Sequence, residues 1–346
     1  MPRWAITPPV TPTEARVRET LPEPPGWAYE PKWDGFRVVA WGGSQPRLDS
    51  RNHRPLLRYF PELGAAVEML PDRAVVDAEA VVVLDDVTDF DALQMRIHPA
   101  QSRVRKLAQE TPAQIVAFDV LAVGEEDLRG RPFRERRERL HQLLVHTGPP
   151  WHLTPSTEDR AEALRWFDSF EEAGCDGIVA KRLDLTYREG ERDMIKVKHR
   201  RTADAVVGGY RLHKDGDKIG SLLLGMYDEK GALHFVGHCS GFADRERARL
   251  LDMLRQLETD SSFGDEARRP DAPSRWSGQR EAAFVAVDPS IVVEVSYDQI
   301  TGGRFRHATR FERWRPDKLP SECTLDQMER STGIGFVEVV SGNQTR

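Results

Sequence analysis

Two apolar and aromatic runs flank the charged stretch Glu30-Pro31-Lys32-Trp33-Asp34-Gly35-Phe36-Arg37, and no other part of the chain constrains the fold as tightly. Trp27, Ala28 and Tyr29 precede it; Val38, Val39, Ala40 and Trp41 follow. Asp-Gly between such runs is a turn signal, because glycine accepts the positive φ of a tight turn. The pattern predicts strand, turn, strand, with Lys32 at the mouth of a hairpin. At strand period the carboxylates of Glu30 and Asp34 share a face with Lys32. A lysine among carboxylates is either a surface ion pair or a nucleophile whose proton must be managed. Spacing leaves both readings open.

Downstream, the polar turn Leu48-Asp49-Ser50-Arg51-Asn52-His53 leads into an apolar stripe of Leu56, Leu57, Phe60, Leu63, Val67 and Leu70, which predicts a helix at about 55–69. Residues 75–83 are strongly β-prone yet contain Asp77 and Glu79. A buried strand rarely carries acids unless they bind something. Glu79 alternates with Ala78 and Ala80, so one strand face is expected to present this single carboxylate. Residues 115–121 form a near-continuous apolar run containing Phe118, the pattern of a strand covered on both sides. A helix is expected from Pro132. Residues 174–182 are a further acid-bearing strand entry, with Asp176. In Met194-Ile195-Lys196-Val197-Lys198 both ammonium groups fall on one face. Two like charges about 7 Å apart repel unless an anion lies between them. A phosphate would serve; an edge strand with solvated lysines is the alternative.

Beyond His199 the texture changes to short strands at 205–210, 221–227, 233–238 and 291–297, with one helix at about 243–258. That pattern suggests a small barrel of the oligonucleotide-binding type. Segment 304–318 carries six arginines or lysines against two acids, interleaved with aromatics, which suits a phosphate backbone. Segment 129–139 is equally basic, whereas 77–91 holds six acids and no base. The chain is therefore patterned in charge, although its net charge is only −6. Residues 1–25 read as a proline-rich lead-in and 320–346 as a loosely held tail. No apolar run approaches the roughly 18–20 residues of a membrane span. Three scattered cysteines exclude a CxxC zinc module or disulfide framework and fit a reducing cytoplasm.

Taken in order, these stretches resemble the motif set of ATP-dependent DNA ligases from about residue 27 to residue 318. K-W-D-G-F-R at 32–37, S-R-N at 50–52, D-A-E at 77–79, F-D at 118–119, D-G-I-V-A-K at 176–181, I-K-V-K at 195–198 and R-P-D-K at 315–318 carry the likeness. Residues 90–98 and 128–133 look especially like the small bacterial ligases of the LigC type, and more distantly the ligase domain of LigD. Two positions depart from the family pattern, Ala78 for glycine and Asp176 for glutamate. The resemblance implies an α+β fold: a nucleotidyltransferase (adenylation) domain of mixed and antiparallel sheets over 1–200, then an all-β OB-fold barrel over 201–346 with its tail. It also implies ATP and Mg2+ (or Mn2+) as cofactors and nicked double-stranded DNA as substrate, sealed through a lysyl-adenylate and a DNA-adenylate.

By the same resemblance Lys32 attacks the α-phosphorus of ATP, with Lys196, Lys198 and a divalent cation favouring its neutral form by charge repulsion. Phe118 stacks on adenine, Glu30 helps read it, and Glu79 holds the ribose. Arg37 and Arg51 contact sugar and phosphates, with Arg192 as a helper. Asp34 and Asp176 hold the metal. Arg315, Asp317 and Lys318 orient pyrophosphate from the mobile barrel, across a hinge at 199–202. A role in DNA repair is expected, beside a repair polymerase or primase-polymerase, as a monomer in the cytoplasm near the nucleoid. RNA ligation, capping with GMP, and a catalytically silent nick-binding adaptor are the alternatives; a retained nucleophile argues against the last.

Overall fold

The computed structural model describes residues 4–214, 216–264, 268–270, 283–328 and 333–342. The chain divides into two compact units, Met1–His199 with Ser331–Arg346, and Arg200–Arg330.

In the first unit the long apolar strands Val75–Leu84 and Ala113–Val123 pair antiparallel at the centre of a seven-stranded sheet. Phe36–Trp41 and then Arg47–Ser50 extend it on one side. Trp151–Leu153 runs parallel to Ala113–Val123 on the other. One face buries Phe60, Leu63 and Val67 together with Leu140 and Leu143 of the Phe133–Leu144 helix. The helix expected over 55–69 is shorter, Leu63–Glu68. Pro55 bridges back to Asp49 instead, and Pro61 bars helical geometry at Phe60 before it.

A second, four-stranded sheet has the order Ala15–Val17, Met194–Lys198, Gly177–Arg182, Trp27–Pro31. This overturns the expected hairpin around Lys32. Trp27–Pro31 pairs with Gly177–Arg182, whereas Phe36–Trp41 pairs with Val75–Leu84 in the other sheet. Each flank buries its apolar side chains in a different core: Tyr29 lies with Ile178 and Ala180, but Val38 and Ala40 lie with Leu48 and Val76. Residues 32–35 are thus a crossover between sheets. Gly35 is needed there for a different reason than expected. Its φ is not positive, but a Cβ would overlap the carbonyl oxygen of Ala80.

The second unit is built on the twelve-residue strand Arg201–Leu212. The order Leu233–Cys239, Ile219–Tyr227, Arg201–Leu212, Val292–Tyr297, Arg310–Trp314 forms an antiparallel sheet, and a bridge from Cys239 to Thr309 joins its two edges. Closure of that kind makes a barrel. Helix Asp244–Arg255 buries Leu251 and Leu254 against it. The expected loose tail is also ordered over its described residues. Cys323 and Met328 are buried in the second unit, and Phe336–Ser341 forms a helix that packs in the first.

Candidate active site

The two sheets of the first unit present facing side chains to a cavity of about 230 Å3. Strand register explains its lining. In the small sheet Val179 lies between Glu30 and Lys196, its partners on the two flanking strands, and the three share one face. In the large sheet Arg37 lies opposite Glu79. Asp77 stands two residues from Glu79, so the strand face carries two carboxylates and not the expected one. Phe118 is the extra residue of a bulge, since Asp77 pairs with Asp119 and Ala78 with Ala117. A bulge re-aims a side chain out of regular alternation. Here it turns Phe118 toward the cavity while leaving only 9% of it exposed.

Lys32 leaves the end of the Trp27–Pro31 strand and lines the cavity. Its backbone is pinned on both sides: Lys32 N–H donates to Gly177 O at 2.8 Å, and Asp176 N–H donates to Lys32 O at 2.7 Å. Its ammonium lies 2.8 Å from Asp176 Oδ2, and the same oxygen takes Lys198 Nζ at 3.0 Å. Burial would raise the Asp176 carboxyl, but the two lysines outweigh it and hold the group below the usual carboxylate range. Lys196, on the cavity wall, is pulled below the ordinary ammonium range by burial and by the charges of Lys32 and Lys198.

Arg37 donates to both carboxylate oxygens of Asp77 at 2.6 Å, and its guanidinium stands 4.6 Å from the Phe118 ring centre. Burial works against that charge, yet Asp77 more than offsets it, so the Arg37 pKa is raised. The Tyr187 hydroxyl also donates to Asp77, at 2.7 Å. Desolvation pushes Glu79 up to about 7, against the attraction of Arg37 and Lys32. Arg51 lines the mouth, its N–H donating to Arg37 O at 3.1 Å.

Glu30 is buried and paired with Lys181 at 2.6 Å, while Arg137 Nη1 stands 3.6 Å from its other oxygen, Oε1. Oε1 is buried with no hydrogen-bond donor among the described residues. Lys181 also donates to Phe118 O at 3.2 Å and lies 4.5 Å from the Phe118 ring centre. Burial lowers its pKa despite Glu30. Lys181 and Arg137 were not among the residues expected here. A lysine closing an otherwise apolar strand was the available signal for Lys181.

The remaining expected residues lie elsewhere. Arg192 is exposed and paired with Glu14 at 3.2 Å. Arg315, Asp317 and Lys318 belong to the second unit. There Asp204 accepts from Arg315 Nη1 at 2.9 Å and from Lys318 Nζ at 2.8 Å, and Asp317 accepts from Arg315. No group of three or more His, Cys, Asp or Glu side chains is disposed to hold a metal among the described residues. Asp176, expected as a metal ligand, has its Oδ2 engaged by two ammonium groups instead.

A family model described as ATP dependent DNA ligase domain matches residues 10–198, and one described as ATP dependent DNA ligase C terminal region matches 215–318. DNA ligase C2 of Mycolicibacterium smegmatis is 48% identical over 339 residues, which cover 94% of this chain and 95% of that protein. The multifunctional non-homologous end joining protein LigD of Mycobacterium bovis is 34% identical over 308 residues, 87% of this chain and 37% of its own length. A solved Lig E DNA ligase structure superposes with a TM-score of 0.54 at 16% identity, covering 90% of this chain and all of that one, a likeness of fold. No helix of the described residues is long and apolar enough to cross a membrane.

Proposed function

The chain belongs to the ATP-dependent DNA ligase family, of the DNA ligase C type, and from that premise we propose that Lys32 is the residue that becomes adenylated. The observation that carries this is its position. Lys32 lies on a crossover pinned by backbone hydrogen bonds, with its ammonium at Asp176 and with Arg37, Arg51 and Lys196 around the same cavity. Those cations suit a triphosphate, and the Phe118 face suits a purine. Glu30 Oε1, buried without a donor, suits the exocyclic amine of adenine. Glu79 would hold the ribose, with Arg192 nearer the solvent.

In this reading the neutral Lys32 amine attacks the α-phosphorus. The N–P bond forms as the bond to pyrophosphate breaks, and negative charge spreads over the phosphate oxygens that Lys196 and Arg51 face. The adenylate then passes to the 5′-phosphate of a nick, and the 3′-hydroxyl displaces AMP. Arg315, Asp317 and Lys318 would orient pyrophosphate in the first step, from a barrel domain joined to the adenylation domain at a hinge near 199–202. A divalent ion, Mg2+ or Mn2+, would neutralise phosphate charge. Such ions are commonly held by one or two carboxylates and the nucleotide together. Asp34 is the carboxylate kept for it, because Asp176 in its present pairing does not fit that part. We extend the reading to nick sealing in DNA repair, by a monomer working beside a repair polymerase.

The test is covalent labelling. With α-labelled ATP and Mg2+ the protein should acquire a label that survives acid precipitation, and Lys32→Ala should acquire none. Undiminished labelling of the variant would remove Lys32 from the mechanism.

A further inference from the structure

The hydrophobic cluster behind Lys32 is completed by a segment from the far end of the chain. Phe336, Val339 and Val340, from the short helix Phe336–Ser341, are buried with Trp33, Cys175, Val81 and Phe170. Phe336 meets the Trp33 indole edge-on, ring centres 5.5 Å apart at 67°. Trp33 and Cys175 are the immediate neighbours of Lys32 and Asp176, whose ion pair the site is built on.

Three hydrogen bonds seat the segment. Phe336 N–H donates to Asp86 O at 2.6 Å, Val337 N–H to Asp86 Oδ1 at 2.9 Å, and Ile334 N–H to Glu172 Oε2 at 3.2 Å. Asp85 and Asp86 form a turn with φ of 49° and 61°, which residues other than glycine adopt at a cost. Gly335 passes so close that a Cβ there would overlap the Asp86 carboxylate. A six-residue helix has little stability of its own. Its packing must hold it, and that packing falls on the residues beside the nucleophile.

We infer that residues 334–341 are a buttress for the nucleophile, with Phe336 a positioning residue that acts through Trp33 and Cys175 to keep Lys32 against Asp176. The inference rests on the assignment of Lys32 as the adenylated residue. Without the aromatic edge against it, Trp33 keeps its indole hydrogen bond to Thr154 Oγ1, 2.8 Å, and its place beside Val81, Val116 and Phe170, but its side toward Phe336 opens and the crossover carrying Lys32 gains freedom. Misplacement of a reacting group by about 1 Å costs on the order of 100-fold in rate.

The experiment measures adenylate formation by the whole chain with α-labelled ATP over a range of ATP concentrations, at a temperature where circular dichroism shows each variant folded. Phe336→Ala and Gly335→Val should lower the maximal rate on the order of 10- to 100-fold with little change in KM for ATP. Phe336→Leu should recover most of it. Val337→Ala, at a position 60% exposed on the same helix, should match the wild type. If Phe336→Ala fails to fold, Gly335→Val decides, because its side chain displaces the Asp86 carboxylate that accepts from Val337 N–H and removes no core side chain. Wild-type maximal rates in folded Phe336→Ala and Gly335→Val would overturn the buttress, as would a loss confined to KM. Label appearing in Lys32→Ala would sink the nucleophile assignment itself.

Discussion

Replacing Asp176 by alanine removes the carboxylate that two ammonium groups share. Its Oδ2 lies 2.8 Å from Lys32 Nζ and 3.0 Å from Lys198 Nζ; the Asp176 side chain is 3% exposed, those of the lysines 20% and 26%. A hydrogen bond to a charged group contributes roughly 1.5–3 kcal/mol, so two would contribute about 3–6 kcal/mol. The released lysines reach water easily, which favours the lower end, about 3 kcal/mol of stability. For a unit of this size that lowers the thermal midpoint by roughly 6–12 °C. Adenylation should fall on the order of 100-fold as Lys32 loses its anchor. Asp176→Glu keeps the charge and should retain a substantial part of both. The pH dependence is a further check. Because the lysines hold the folded carboxyl below its ordinary value, its stabilisation is present above the unfolded pKa of about 3.9 and is lost as pH falls through the folded one. The gap between wild type and Asp176→Ala should therefore be level near neutrality and close only in acid. Scanning calorimetry and a labelling time course across a Mg2+ titration read both quantities. A wild-type midpoint and labelling rate for Asp176→Ala, or a gap unchanged in acid, would refute the reasoning.

Two further outcomes are expected. Lys318→Ala should slow adenylation roughly 30- to 1000-fold while sealing of a nick that already carries the 5′-adenylate is much less affected. Equal losses in the two single-turnover assays would mean that Lys318 grips DNA or holds the barrel together. Glu79 has a folded pKa raised to about 7, so between about pH 4.3 and 7 the unfolded chain gives up this proton first and stability declines as pH rises. Glu79→Gln should flatten that decline in the denaturation midpoint, and an unchanged slope would remove Glu79 as its cause.

Much of the site was legible because its residues interrupt strong patterns. Lys32, Glu79, Lys196 and Phe118 sit in or beside β-prone apolar runs, and the structure brings all four to one cavity. What escaped depends on pairings that local sequence does not specify. The Asp-Gly pair reads as a hairpin turn, yet the two flanking strands satisfy different cores and separate into different sheets. Asp176 reads as an open carboxylate because nothing local shows that Lys32 and Lys198 converge on it from two neighbouring segments. In the sequence Lys181 stands in a family motif with no role of its own, because only cross-strand register brings Glu30 within reach of its ammonium group. The final helix was missed since six residues give too short a periodic signal.

The division of the chain also has a consequence for biosynthesis. The barrel is an insertion within the first unit, because Phe336–Ser341 returns to pack there after residues 200–330 have been made. Domains generally fold in the order of their synthesis. Here Trp33 and Cys175 wait, partly uncovered, while the ribosome makes the whole barrel. Competence to react with ATP should thus arrive late and in one step, after the barrel already exists.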